Sequence, residues 1–370
     1  MNHTYGFSNW LVIDKSAIEN NVERIRALTG VRVMAVIKAN GYGHGILEVA
    51  RTSVDAGAAY CGVARVEEAL ELRRKNFEAP ILVLGNTPTE KMGEAVGNST
   101  SLTIFKPAHV DAVESAAALA GRDAVVHVKV DTGMSRLGAV PEVAYDLVRK
   151  LHDAPHVQLE GIFTHYAKAD EPQDPTTEQQ EAQFLDLMSE IEAAGLRPPI
   201  VHAANSAAAI SRPSSRFDMV RPGMAIYGLC PDIKMPLPDD FRPALRWKAR
   251  LSFIQRLEAG RGISYGHVYK TKTEETIGVV PVGYGDGYRR MPGNEVLIHG
   301  KRVPVVGRVS MDQLMVSLDD VPETVIGDEV VLIGKQGDEY ISPEELGERW
   351  GTFNYEVICG LSARVPRSYR

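Results

Sequence analysis

The chain has 370 residues, 44% hydrophobic and 24% charged, an ordinary globular composition that is too long for one typical domain. Its net charge of −7 comes without any basic block, which argues against nucleic acid and anionic membrane as partners. No apolar run approaches the ~18 residues of a membrane span. The opening MNHTYGFSNWLVIDKS lacks the basic start and long apolar core of a secretory signal. Cys61, Cys230 and Cys359 are odd in number and widely spaced, and read as reduced core or near-core thiols instead of a disulfide frame or a zinc site. A cytoplasmic enzyme is the starting expectation.

The segment NWLVID reads as a strand able to pair with either half of the chain. Asp14 then can cap a helix whose positions Ile18, Val22, Ile25 and Leu28 share one face, with Gly30 to end it. Short apolar runs recur at 33–37, 61–64, 81–85, 101–105, 124–130, 160–166, 200–205 and 219–228. Helix-like segments such as 66–75 and 181–195 separate them. Eight strands alternating with helices over about 240 residues predict an α/β fold, an N-terminal (β/α)8 TIM-type barrel. A doubly wound open sheet is the rival, weakened because no GxGxxG follows an early strand. After the proline-rich stretch 231–243 the pattern becomes alternating strands with glycine turns, which predicts a C-terminal mainly-β domain. The expected division is a barrel over 1–241, with 1–13 able to pair with the β domain, and the β domain over 242–370.

Barrel enzymes carry their sites at the C-terminal ends of the strands. Lys38, Arg136, His165, the pair Asn205-Ser206 and Arg221 all fall at such ends. His165 alone reads as a structural histidine, but five such positions on one rim make a site. Lys38 ends an apolar run and precedes the flexible Asn40-Gly41-Tyr42-Gly43; an amine with its stem among apolar neighbours suits Schiff-base chemistry. No HExxH, CxxC or carboxylate cluster supports a metal, and no GxSxG supports a serine nucleophile. An amine with backbone-rich loops suits pyridoxal phosphate, which bears both an aldehyde and a phosphate. Ser206 and Arg221-Pro222-Gly223-Met224 offer a phosphate seat after strands seven and eight.

The motifs MAVIKANGYGHG, HVKVDTGMSRLG, GIFTHYA, HAANS, VRPGMAIYG, ISYGHVY, PVGYGDGY, GRVSMDQ and NYEVICGLSARVPRSY, in this order, resemble those of the alanine racemases. The resemblance spans both expected domains. It implies pyridoxal 5'-phosphate held covalently by Lys38, with Tyr42, Ser206, Gly223, Met224 and Tyr355 around its phosphate. It further implies Arg221 at the ring nitrogen, His165 beside the ring and hydrogen-bonded toward Arg221, and Arg136 at the cofactor's phenolic oxygen. Arg136 and the backbone of Met311 would bind the carboxylate of alanine. Two opposed bases are implied, Lys38 and Tyr265, the latter reaching the site of a partner subunit, so that the active sites are shared in a homodimer. Tyr284, Asp170 and one of Arg289 and Arg290 would shape the entry. Lys129 matches a position that carries a carbamate in many members, with an ordinary salt-bridged lysine as the alternative. Ser310 stands where many members have cysteine. The implied activity is interconversion of L- and D-alanine for peptidoglycan. Rival readings are a racemase of broad specificity, a decarboxylase on the same fold, and a cofactor-carrying binding protein without turnover; the arginine of VRPG and the β domain weigh against the last two.

Overall fold

Strand β1 (Asn9–Ile13) is followed by eight short strands that the computed structural model, which describes residues 6–370, arranges in two parallel sheets. These are β2 (Arg32–Val36), β3 (Tyr60–Val63), β4 (Ile81–Val83), β5 (Leu102–Ile104), β6 (Ala124–Lys129), β7 (Val157–Phe163), β8 (Ile200–His202) and β9 (Met219–Val220). One sheet runs β4-β3-β2-β9 and the other β5-β6-β7-β8. Backbone bonds join them on both sides. Ser101 N–H donates to Ile81 O at 2.9 Å and Val83 N–H to Ser101 O at 3.0 Å, while Asp218 N–H donates to Val201 O at 3.0 Å and Arg221 N–H to Ala204 O at 2.8 Å. The ring is thereby closed into an eight-stranded parallel barrel with helices between successive strands. Met34, Tyr60, Leu82, Phe163, Ile200 and Met219 form one buried cluster within it.

Two compact units divide the chain: 17–41 with 46–242, which holds the barrel, and a second made of the segment through Ser16, residues 42–45 and 243–370. The second is dominated by β-structure. It comprises β10 (Leu245–Arg250), β11 (Phe253–Leu257), β12 (Gly262–Ile263), β13 (Tyr269–Lys270), β14 (Glu275–Val280), β15 (Glu295–Ile298) and β16 (Lys301–Val306). It continues through β17 (Leu314–Ser317), β18 (Glu329–Gln336), β19 (Glu339–Ile341) and β20 (Arg367–Tyr369). Buried and exposed residues alternate along β10, as a sheet with one covered face requires. Of the segment 1–13, β1 pairs antiparallel with β10 and parallel with β20; residues 1–5 lie outside the described residues. Among the described residues no helix is long and apolar enough to cross a membrane.

Several local expectations change. The helix Lys15–Thr29 ends at Gly30, whose φ is +69°, but its buried face is Ala17, Ile18, Asn21, Val22 and Ile25. Leu28 is 42% exposed, one position off that stripe. Cys359 is exposed, not near the core. In the run 160–166, β7 starts earlier and stops at Phe163, because the Thr164 carbonyl leaves the ladder to accept from Arg221 at 2.7 Å. Only Met219–Val220 of 219–228 is strand, since Pro222 has no N–H for a ladder; Met224–Tyr227 is a 3-10 turn.

The ladder between β6 and β7 is irregular at one step. The pairing moves from Val126 opposite Leu159 to His127 opposite Gly161, so Glu160 is an inserted, bulged residue. A Cβ at Gly161 would lie 2.2 Å from His127 Nδ1 and 2.9 Å from the Ile200 carbonyl oxygen. Gly161→Ala is expected to lower stability by about 1–3 kcal/mol through overpacking. A thermal melt within a degree of the parent would contradict this.

Candidate active site

Lys38 stands at the end of β2, half-buried, where the chain enters a turn of unusual hand. Ala39, Asn40 and Gly41 have φ/ψ of 53/52°, 55/45° and 62/44°, and Tyr42 follows at φ +49°. L-residues visit this region singly and at a cost, so a run of them must be held from outside. Glu68 holds it: its carboxylate accepts from Ala39 N–H at 2.6 Å, Ala64 N–H at 2.9 Å and Arg65 N–H at 3.1 Å. Asn40 Oδ1 accepts from Ile46 N–H at 3.0 Å, and Gly41 N–H donates to Ile37 O at 2.8 Å. Glu68 escaped the reading of the sequence, where it is one carboxylate in an amphipathic helix.

Arg221 is 4% exposed, a guanidinium inside the barrel. Its Nη2 donates to the carbonyls of Thr164 at 2.7 Å and Ala203 at 2.8 Å and faces His165 Nδ1 at 3.2 Å. Its Nη1 meets His202 Nδ1 at 3.0 Å. Those four acceptors engage at most three of the five N–H donors, leaving others for a ligand. Arginine has no acceptor, so His165 and His202 must each present a lone pair at Nδ1. Phe163 lies beneath, with the Arg221 guanidinium carbon 5.1 Å and Lys129 Nζ 5.5 Å from its ring centroid, and the His202 ring stacked on it at 4.7 Å.

Charge crowds this rim. Burial, then Arg221, Arg136 and Lys38, outweighs Asp131 and lowers the Lys129 ammonium to about 8. Burial also brings Arg221 down to about 9. His165 keeps some access at the rim, yet burial first and then Arg221, Lys129, Arg136 and Lys38 hold it well below the usual histidine range. Arg136 is exposed on the loop after β6, a loop organised by Asp131 Oδ1, which accepts from Gly133 and Ser135 N–H at 3.0 Å each. Gln180 braces the His165 segment, donating to His165 O at 3.1 Å and accepting from Ala167 N–H at 2.9 Å. Asp170 is half-buried on the loop after β7.

Ser206 is buried where the loops after β8 and β9 meet. Its Oγ accepts from Gly223 N–H at 2.9 Å and Ala225 N–H at 3.3 Å, while Met224 is fully buried. A hydroxyl that accepts twice keeps its proton to donate, and suits an anionic oxygen. Val36 N–H donates to Pro222 O at 3.0 Å and Tyr227 OH to Val36 O at 3.2 Å, which ties the Lys38 strand to the Arg221 loop. Amine, hydroxyl seat and guanidinium form a donor set that fits a phosphate-bearing pyridine aldehyde.

The other candidate residues belong to the second unit. Tyr42 is buried, its ring 6.2 Å from that of Tyr355, which packs on Phe353 at 5.4 Å. Tyr265, Tyr284 and Met311 are 69%, 47% and 52% exposed. Residues 307–311 link them. Ser264 Oγ donates to Arg308 O at 2.6 Å, Tyr284 N–H to Ser310 O at 3.0 Å and Gly285 N–H to Met311 O at 2.9 Å. Ser264 itself has φ +58° and ψ −169°, a backbone region that favours glycine. Arg364 clamps the same loop through Asp286 at 2.7 Å, Asp312 at 2.9 Å and Met311 O at 3.3 Å. Arg289 is paired with Glu356.

Fold and site together define a barrel enzyme with an accessory β domain, built around one amine and one buried guanidinium. Residues 13–231 match the alanine racemase N-terminal domain and 244–369 the alanine racemase C-terminal domain. The alanine racemase of Symbiobacterium thermophilum is 45% identical over 97% of this chain and 96% of its own. The alanine racemase structure from Clostridium difficile superposes with a TM-score of 0.94 at 36% identity, covering 99% of this chain and 96% of that one. That from Bacillus anthracis, with bound L-Ala-P, gives 0.91 at 41% identity, covering 98% and 95%. The chain belongs to the alanine racemase family, isomerases that act on an amino acid.

Glu68→Ala frees the left-handed turn, and should lower racemase kcat about tenfold or more while costing only ~1–3 kcal/mol of stability; steady-state kinetics beside a melt would separate the two. The buried histidines make a second prediction, on pH. Burial, with Arg221 close by, keeps His202 well below its ordinary pKa, and burial lowers His127 despite Glu160. The unfolded chain therefore binds protons below about 6.5 that the folded chain refuses. Stability should fall as pH drops through that value, by up to ~2.7 kcal/mol per pH unit for the two rings. A denaturation midpoint unchanged between pH 7.5 and 5.5 would contradict it.

Proposed function

We propose that this chain racemises alanine by a two-base route with pyridoxal 5'-phosphate as cofactor, and that the observation carrying this is the buried Arg221 on the same rim as Lys38. When bound, the cofactor withdraws electrons from the substrate and so acidifies its α-hydrogen. Lys38 holds it, Ser206, Gly223, Met224, Tyr42 and Tyr355 are assigned to its phosphate, and Arg221 to its ring nitrogen, with His165 at its side. A guanidinium donates and keeps its own proton, so it discourages protonation of that nitrogen and limits side reactions that need a stronger electron sink.

Racemisation takes a proton from one face of the α-carbon and returns one to the other. Lys38 Nζ serves one face and Tyr265 Oη the second. The exposure of Tyr265, Tyr284 and Met311 supports their delivery to a partner subunit, so we read the working form as a homodimer with shared sites. Arg136 and the Met311 backbone orient the alanine carboxylate, Tyr355 and Tyr284 leave room for little more than a methyl group, and Asp170 with Tyr284 shapes the entry. Lys129, lowered by burial and surrounding cations, has a fraction of free amine at neutral pH, which supports its carbamylation. The reaction would supply D-alanine for peptidoglycan; the odd, scattered cysteines support a reducing cytoplasm.

The purified protein should be yellow and interconvert L- and D-alanine. Lys38→Ala should abolish both the absorbance band and turnover. Tyr265→Phe should keep the band, lower racemisation by ~10³-fold or more, and still exchange the α-hydrogen of one enantiomer with deuterated solvent. Full activity of Tyr265→Phe would refute the two-base assignment, and comparable efficiency on lysine or serine would refute the preference for alanine.

A further inference from the structure

Two histidines inside the barrel, His127 on β6 and His202 on β8, have no role in holding the cofactor or the substrate, and both are completely buried. They form a continuous chain that ends at the guanidinium. Glu160 Oε2 lies 2.9 Å from His127 Nε2, His127 Nδ1 lies 3.0 Å from His202 Nε2, and His202 Nδ1 lies 3.0 Å from Arg221 Nη1. The barrel is built to hold this chain. Glu160 is the bulged residue of β7, Gly161 leaves the space that the His127 ring fills, Tyr60 packs edge-on to that ring at 6.4 Å, and Phe163 stacks on His202.

Only one proton arrangement satisfies every link. Arg221 can only donate, so His202 Nδ1 accepts and the His202 proton sits on Nε2. That proton is given to His127 Nδ1, which leaves the His127 proton on Nε2, donated to the Glu160 carboxylate. Charging either ring would set two donors against each other. Reversing the chain would aim a His202 N–H at an Arg221 N–H.

We propose that Glu160 is a positioning residue for the racemase reaction: through the fixed tautomers of His127 and His202 it keeps a lone pair facing Arg221, and so fixes the guanidinium at the cofactor's ring nitrogen. The carboxylate supplies the terminal acceptor, and its negative charge is passed toward a buried cation by two neutral rings that align their dipoles. This rests on the reading of Arg221 as the ring-nitrogen partner. Glu160 is not among the residues assigned to substrate or cofactor.

The test is 15N NMR of the holoenzyme labelled at histidine, with the two rings assigned by single replacement. In the parent, both rings are expected neutral with the proton on Nε2 from pH 6 to 9. Glu160→Leu removes the acceptor, and should give mixed tautomers at both rings and a kcat lower by about tenfold or more, with KM within about threefold. Glu160→Gln retains an acceptor oxygen, and should preserve the tautomers and hold kcat within about fivefold. A parent His202 protonated on Nδ1 would overturn the proposal. So would a Glu160→Leu enzyme with unchanged tautomers, whatever its rate, since that would leave Glu160 only a packing role. Should Glu160→Leu fail to fold, the parent spectrum and Glu160→Gln decide the matter. The ring spectra do not depend on turnover, so absence of racemisation would sink the functional reading separately.

Discussion

A guanidinium buried inside a parallel barrel imposes a condition on everything around it: each of its engaged protons must find an acceptor, and no neighbour can donate back. Arg221 meets the condition with two carbonyls freed at strand ends and two histidine lone pairs. The consequence spreads outward. β7 stops at Phe163 so that Thr164 can turn its carbonyl inward, His202 must carry its proton on the far nitrogen, and β7 is bulged at Glu160 where that order terminates. Burial, and then the same cation with Lys129, Arg136 and Lys38, keeps His165 neutral beside it.

The amine is held by a second constraint, backbone strain. A run of left-handed residues after Lys38 persists because one carboxylate, Glu68, collects three N–H groups at once. In the other unit, Ser264 occupies a backbone region that favours glycine immediately before Tyr265, anchored by its hydroxyl on Arg308. Each of the two residues proposed to move the proton therefore adjoins a strained segment pinned by a polar side chain. Strain maintained in this way selects one orientation of the side chain it presents.

Much of this was legible in the chain. Eight apolar runs of strand length predicted the barrel, because a strand buried on both faces reads as a short continuous hydrophobic run. The alternation after residue 243 marked the β domain by the same logic with one face exposed. Lys38, His165, Ser206 and Arg221 could be picked out because barrel topology gathers strand ends on one rim. Glu68, Gln180, His127 and His202 could not. Each sits in an unremarkable helix or strand, and what matters is a hydrogen bond to a residue tens of positions away.

What the sequence by itself determined is the succession of elements and the identity of the groups at their ends, since hydrophobic period and turn chemistry are local properties. Only the tertiary structure decided the protonation order of the buried histidines, the bulge at Glu160, the exposure of Cys359 and Leu28, and the left-handed turn beside Lys38. The physical reason is that donor and acceptor roles, burial and strain belong to pairs of groups brought together across the fold, and a linear pattern carries no record of which pairs meet.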